Sequence, residues 1–186
     1  MGRPSLREQR RAEIVEAFAR VLASHGFAGT TIAAVAAEAN VAPGLVHHYF
    51  TSKEELLVCL LRELTARFRQ RTHALEPTKG PLGAYADAAV RLDATADTIA
   101  ARCWVGVLAE AVRNPTLFAQ VRRLVDTEIE AIRRRSSERL SHESAGAVLA
   151  FVIGALVLGA FAPRKTAGFA GPALEKLIAA LEEPRA

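Results

Sequence analysis

Residues 30–53, TTIAAVAAEANVAPGLVHHYFTSK, read as two short helices joined by a tight turn and followed by the capped start of a third. Thr30 or Thr31 supplies a hydroxyl suited to cap the first helix. Ile32, Val35, Ala36 and Ala39 then fall at i, i+3, i+4 and i+7, the spacing of one buried helix face. Asn40 stands where the chain must reverse, and asparagine tolerates the left-handed backbone better than any residue but glycine. Pro43 marks the first turn of the second helix, about 43–50, on which Val46 and Phe50 share a face and, with Val41, pack on the first helix. Gly44, Leu45, His47 and His48 point elsewhere.

A helix pair of this kind occurs in many all-helical proteins, so the outward residues carry the argument for DNA. Gly44 beside Pro43 permits close approach to a surface, Leu45 can touch a thymine methyl, and the two imidazoles can bond base edges or phosphates. Tyr49 and Lys53 add phosphate-reaching groups at the far end. On this reading Pro43, Gly44, Leu45 and His47 read bases, while Thr31, His48, Tyr49 and Lys53 grip phosphates.

The stretch ANVAPGLVHHYFTSKEELL resembles the N-terminal signature of the TetR family of bacterial transcriptional repressors. The resemblance covers Val41, Gly44, the cluster His48, Tyr49 and Phe50, Lys53, and the pair Leu56 and Leu57. Asn40 stands where that family usually has glycine, Ala42 where it often has serine, and His47 where tyrosine is frequent. A second stretch, WVGVLAEAVRNPTL at 104–117, is similar to the C-terminal domain of the choline-responsive repressor branch. The resemblance implies an all-α fold: a three-helix helix-turn-helix domain at 1–51, then a larger helical bundle at 52–186 for ligand binding and dimerisation. It also implies a homodimer closed by a four-helix bundle, and a repressor released from a near-palindromic double-stranded operator by a small-molecule inducer.

With 186 residues, 51% of them hydrophobic and 24% charged, the chain is long enough for about two packed domains and too apolar for disorder. The net charge of +4 is compatible with nucleic acid, and its placement says more. Arg3, Arg7, Arg10 and Arg11 oppose the single acid Glu8, forming a basic arm able to lie along phosphates or enter a minor groove; Arg3 and Arg10 are taken as DNA contacts. The later cluster at Arg133, Arg134, Arg135 and Arg139 is interleaved with acids and reads as a solvated helix face. Cys59 and Cys103 form no metal or disulfide pattern, the N-terminus has no apolar signal segment, and a cytoplasmic protein is expected. No nucleophile elbow, phosphate-binding glycine loop or zinc motif is present, so neither enzyme activity, a cofactor nor a metal is expected.

Residues 145–162, AGAVLAFVIGALVLGAFA, carry no charge over a length that makes a membrane span the rival reading. A helical module anchored there, with the basic arm on acidic headgroups, is one alternative function; a ligand-insensitive architectural DNA-binding protein is another. Against a membrane, the segment is short, rich in Ala and Gly, and has no second span. A helix apolar all round must be buried all round in a soluble protein, which packing on its own subunit and on a partner satisfies. The dimer that the family resemblance implies would use helices at 141–161 and 171–181, with Gly146, Ala150, Gly154, Leu158, Leu174 and Leu177 at the interface.

Periodicity predicts further helices at 6–25, ended at Gly26, and at 52–75, where Ser52 and Glu55 have capping-box spacing. A breaker at 76–81 precedes helices at 82–97, 98–113 and 115–140. A pocket between these helices would have candidate walls at Phe68, Tyr85, Trp104, Phe118 and Phe151, with Glu110 able to pair with a cation.

Overall fold

The computed structural model describes residues 5–90 and 95–182. Among the described residues every regular element is helical: α1 (Leu6–Gly29), α2 (Ile32–Glu38), α3 (Pro43–Tyr49), α4 (Lys53–Val90), α5 (Thr95–Ala111), α6 (Pro115–Arg135), α7 (His142–Phe161) and α8 (Pro163–Glu182). They fall into two compact units that divide between Leu64 and Thr65. This division lies further along than the expected joint at 51/52. Leu56, Leu57, Leu60, Leu61 and Leu64, on the opening turns of α4, are buried and belong to the first unit.

In the first unit, α1 opens on a reciprocal capping box. Ser5 accepts from the Glu8 backbone N–H at 3.2 Å, and the Glu8 carboxylate accepts from the Ser5 N–H at 2.7 Å. Ile14, Val15, Ala17, Phe18, Val21 and Leu22 form its buried face. Gly26, at φ 68°, breaks the helix as the sequence predicts, although a further turn to Gly29 follows. Asn40 takes φ 54°, the left-handed turn expected of it. Val35, Ala36, Val46 and Phe50 are buried, so α2 and α3 pack as the apolar spacing requires.

In the second unit, Tyr85 and Ala89 of α4, Ile132 of α6, Val148 and Val152 of α7, and Leu174 and Ile178 of α8 share one core. The break predicted at 76–81 narrows to Gly80 at φ 70°, and the helix continues through Pro77 up to it. Helix α6 stops at Arg135 and not at residue 140, because Ser137 and Glu138 take φ 55° and 61° and the Ser136 hydroxyl bonds the Arg133 carbonyl at 2.7 Å. Helix α8 starts at Pro163, earlier than the expected 171. Burial of Thr166 and Ala170 outweighs the weak helix propensity of Gly168 and Gly171. The predicted helix at 82–97 ends at Val90, and residues 91–94 lie outside the described residues.

Cys103 is fully buried, and burial pushes its thiol up to about 12, whereas Cys59 is partly exposed. A thiol reagent attacks the thiolate. At neutral pH one cysteine is therefore expected to label quickly in the folded protein, and peptide mapping should place that label on Cys59. Cys103 should label only on unfolding, and fast labelling of Cys103 would contradict the packing around α5.

Candidate functional site

Three surfaces stand out: the outer side of α3, a cavity in the second unit, and one face of α7. Pro43 occupies the first helical position of α3, with Ala42 as a cap that offers no side-chain hydrogen bond, so its fixed φ starts the helix in place of a hydroxyl. Val46 and Phe50 point inward. That orientation leaves Pro43, Gly44, His47 and His48 exposed, with Leu45 and Tyr49 half-buried. A Cβ added at Gly44 would meet nothing within 4 Å, so the protein's own packing does not require glycine there. His48 and Tyr49 meet edge to face at 5.0 Å. Thr31, also exposed, caps α2 by accepting from the Ala34 N–H at 3.1 Å, which leaves its hydroxyl proton available to donate.

The basic residues divide. Arg10 is exposed and pairs with Glu13 at 2.6 Å on its own helix. Arg3 lies outside the described residues. Lys53 turns inward: its Nζ donates to the Phe27 carbonyl at 2.9 Å and lies 4.4 Å from the centre of the Phe27 ring. Arg11 also turns inward, to the end of α3. At the start of α4 the expected capping box is only half made. Ser52 Oγ accepts from the Glu55 N–H at 3.1 Å, but the Glu55 carboxylate reaches past it to Thr51, accepting from its N–H at 2.8 Å and its hydroxyl at 2.9 Å. The Thr51 N–H is the main reason the Glu55 carboxyl sits below its usual range. A lowered carboxyl stabilises the fold above its unfolded value of 4.5, and that contribution fades as pH falls through the lowered one.

The cavity has a volume of about 90 Å³. In this measure one water needs roughly 10–15 Å³, so it can hold a small organic molecule. Phe68, Tyr85 and Trp104 line it as the sequence suggests. The other three candidates do not: Phe118 is 53% exposed, Phe151 packs on the core, and Glu110 lies near the end of α5 away from the lining. The acid that lines the cavity is Glu128 of α6, 9% exposed. It follows Val121, Leu124 and Val125 at helical spacing, a carboxylate standing on an apolar stripe, and that was the signal available in the sequence. The Glu128 carboxylate lies 3.6 Å from Arg69 and close enough to the Tyr85 phenol for its charge to act on it. Burial first, and the Glu128 charge second, raise the Tyr85 phenol far above its ordinary range, so it stays a neutral donor. Phe68 meets Tyr85 edge to face at 5.2 Å.

Helix α7 is 20 residues long and contains an 18-residue stretch of mean hydropathy 2.3, long and apolar enough to cross a membrane by composition. Ala145, Val148, Leu149, Val152 and Ala155 are buried on one face. Ala147, Ala150, Gly154, Leu158 and Phe161 form an exposed apolar stripe on the other. A Cβ at Gly146 or Gly154 would meet nothing within 4 Å. Of the two α8 residues expected beside this stripe, Leu177 is half-buried, but Leu174 is fully buried in the core of its own unit, so its side chain has no surface left for a partner.

Residues 14–59, which span the buried face of α1 through the opening of α4, match the family described as bacterial regulatory proteins, tetR family. The chain carries a TetR-family N-terminal domain. Over 171 residues, 87% of each chain, it is 29% identical to the HTH-type transcriptional regulator BetI of Burkholderia thailandensis. A transcriptional regulator from Rhodococcus sp. Rha1 has the same fold at a TM-score of 0.81, with 22% identity and coverage of 92% of this chain and 95% of that one. A regulator from Saccharomonospora viridis, solved in complex with choline, has a TM-score of 0.74, 20% identity and coverage of 92% and 96%. These relatives are named as transcriptional regulators and not enzymes, and the matched N-terminal domain of this chain contains the helix pair α2 and α3.

Proposed function

We propose that this chain is a TetR-family regulator, a cytoplasmic homodimeric repressor that leaves a near-palindromic operator when a small organic cation enters the cavity of its second unit. The observation that carries the DNA reading is the outer side of α3. Its glycine, leucine and two imidazoles have no part in the core, while Val46 and Phe50 fix which side faces out. Two such helices about a twofold axis suit half-sites about 34 Å apart. Pro43, Gly44, Leu45 and His47 would read bases; Thr31, His48, Tyr49 and Arg10 would meet phosphates. The exposed stripe of α7, small enough at Ala150 and Gly154 for close approach, supports a helix-to-helix dimer; Gly146 at its margin is half-buried.

The ligand class is supported by aromatic walls at Phe68, Tyr85 and Trp104 around a nearly buried carboxylate, the setting in which a quaternary ammonium is attracted by both ring faces and charge. Choline, bound by the Saccharomonospora viridis neighbour, is the natural first probe. Cation binding would favour one arrangement of the two heads, which changes operator affinity only by the difference in ligand affinity between arrangements. A membrane-anchored role would require α7 to leave the core it shares with α4, α6 and α8.

Selection of sites from random duplexes at near-physiological salt should enrich a palindrome. His47→Ala should then relax preference at one base pair of each half-site, by about 1–3 kcal/mol. Equal losses on cognate and scrambled DNA would remove His47 from base readout. No enrichment from dimeric protein would sink the operator reading, and an operator complex indifferent to every candidate cation would favour the ligand-insensitive architectural alternative.

A further inference from the structure

Helix α3 has seven residues and no side-chain cap, too little to hold a fixed orientation by itself. The three residues at its exit are each gripped from outside. Arg11 of α1 donates through Nη1 to the Tyr49 carbonyl, stacks its guanidinium 4.2 Å from the centre of the Phe50 ring, and lies 3.4 Å through Nη2 from Glu55 Oε1. The other oxygen of Glu55 accepts both the N–H and the hydroxyl of Thr51. One guanidinium and one carboxylate thus join α1, the end of α3 and the start of α4. With Nη1, Nη2 and the ring face engaged, Arg11 is not arranged as a phosphate-seeking arm, although it sits in the basic segment that looks like one.

We propose that Arg11 and Glu55 are positioning residues for DNA binding: together they fix the C-terminal end of α3, and neither touches DNA. This rests on α3 being the helix that reads DNA. Glu55 is the telling member, because the two readings of it predict opposite signs. An acid near phosphates only repels them, so removing its charge should tighten binding, whereas removing a positioning carboxylate should weaken it. Arg11 is separable in a similar way. Lysine keeps the charge a phosphate needs but cannot bond a carbonyl and a carboxylate while stacking flat on a ring.

The test uses the full-length protein as Arg11→Met, Arg11→Lys and Glu55→Gln. Amide hydrogen exchange is measured in the free protein, and affinity for operator and random duplex is measured across a salt series. Positioning predicts exchange at residues 46–51 at least about tenfold faster, with the buried turns of α1 unchanged. It also predicts at least about tenfold weaker operator binding by all three variants, with the slope of log affinity on log salt unaltered. A slope smaller by about 0.9 in Arg11→Met, restored in Arg11→Lys, would make Arg11 a phosphate contact and overturn the proposal. Tighter DNA binding by Glu55→Gln would overturn it as well. So would unchanged exchange at 46–51, or a loss of protection spread over all of α1, which would mean a general structural role. If the wild-type protein selects no operator, the proposed function fails, while the exchange measurement still decides whether these two residues hold α3.

Discussion

On the proposed function, Leu158→Asp is expected to leave the protein folded but monomeric, and to lower operator affinity on the order of a thousandfold or more. Leu158 is 51% exposed on the outer stripe of α7, so aspartate there can reach water in an isolated protomer and costs the core little. In a dimer closed through that stripe the same carboxylate would be buried without a partner, at several kcal/mol for each copy. A specific complex of about 10⁻⁹ M is worth about −12.3 kcal/mol, and a monomer that meets one half-site keeps about half of that. Sedimentation should report the monomer, circular dichroism an unchanged helix content, and a binding titration the loss. A dimer with full affinity would show that α7 is not the interface. Gly154 gives a companion sign test. Nothing within its own unit meets a Cβ there, so alanine should stabilise a lone protomer by about 0.5–1 kcal/mol through helix propensity. If a second helix packs closely on it, alanine should weaken the dimer instead.

The second large effect is expected at Glu128. Glu128→Gln keeps the shape and a carbonyl oxygen facing the Tyr85 phenol, and it leaves Arg69 without its ion pair only where that side chain is 57% exposed, so the fold should tolerate it. For a cation bound among Phe68, Tyr85 and Trp104, loss of the nearly buried charge should cost about 2–5 kcal/mol, roughly thirtyfold to several thousandfold in affinity. Calorimetry with choline, and with the uncharged alcohol in which carbon replaces its nitrogen, checks the claim. Choline should bind the wild type more tightly than its isostere, and Glu128→Gln should erase most of that preference. Equal binding of the two by the wild type would sink the cation reading and leave an apolar ligand.

The parts legible in the sequence are those set by near neighbours along the chain. The Thr31 cap, the left-handed Asn40 and the shared face of Val46 and Phe50 each follow from the properties of a few consecutive residues, and the structure realises all three. What was not legible depends on long side chains choosing among acceptors that tertiary packing supplies. Lys53 has the register of a phosphate contact, yet the Phe27 carbonyl and ring lie within its reach. Arg11 looks like part of a free arm until the end of α3 is placed beside it. Glu55 has capping-box spacing from Ser52 but finds two donors on Thr51. In the cavity, aromatic content picked out Phe68, Tyr85 and Trp104 but also Phe118, which is half exposed. Glu110 shares a helix with Trp104, whereas the stripe of α6 brings Glu128 to the wall.

The break at Gly80 gives the cavity a mechanical character. Phe68 stands on the stretch of α4 before that glycine and Tyr85 on the stretch after it, so both sides of one bend form part of the same wall. A guest seated against these two touching rings would press on both sides of the bend at once. On the proposed function the guest's size would then matter as much as its charge, and a series of progressively bulkier ammonium ions would measure how far the bend yields.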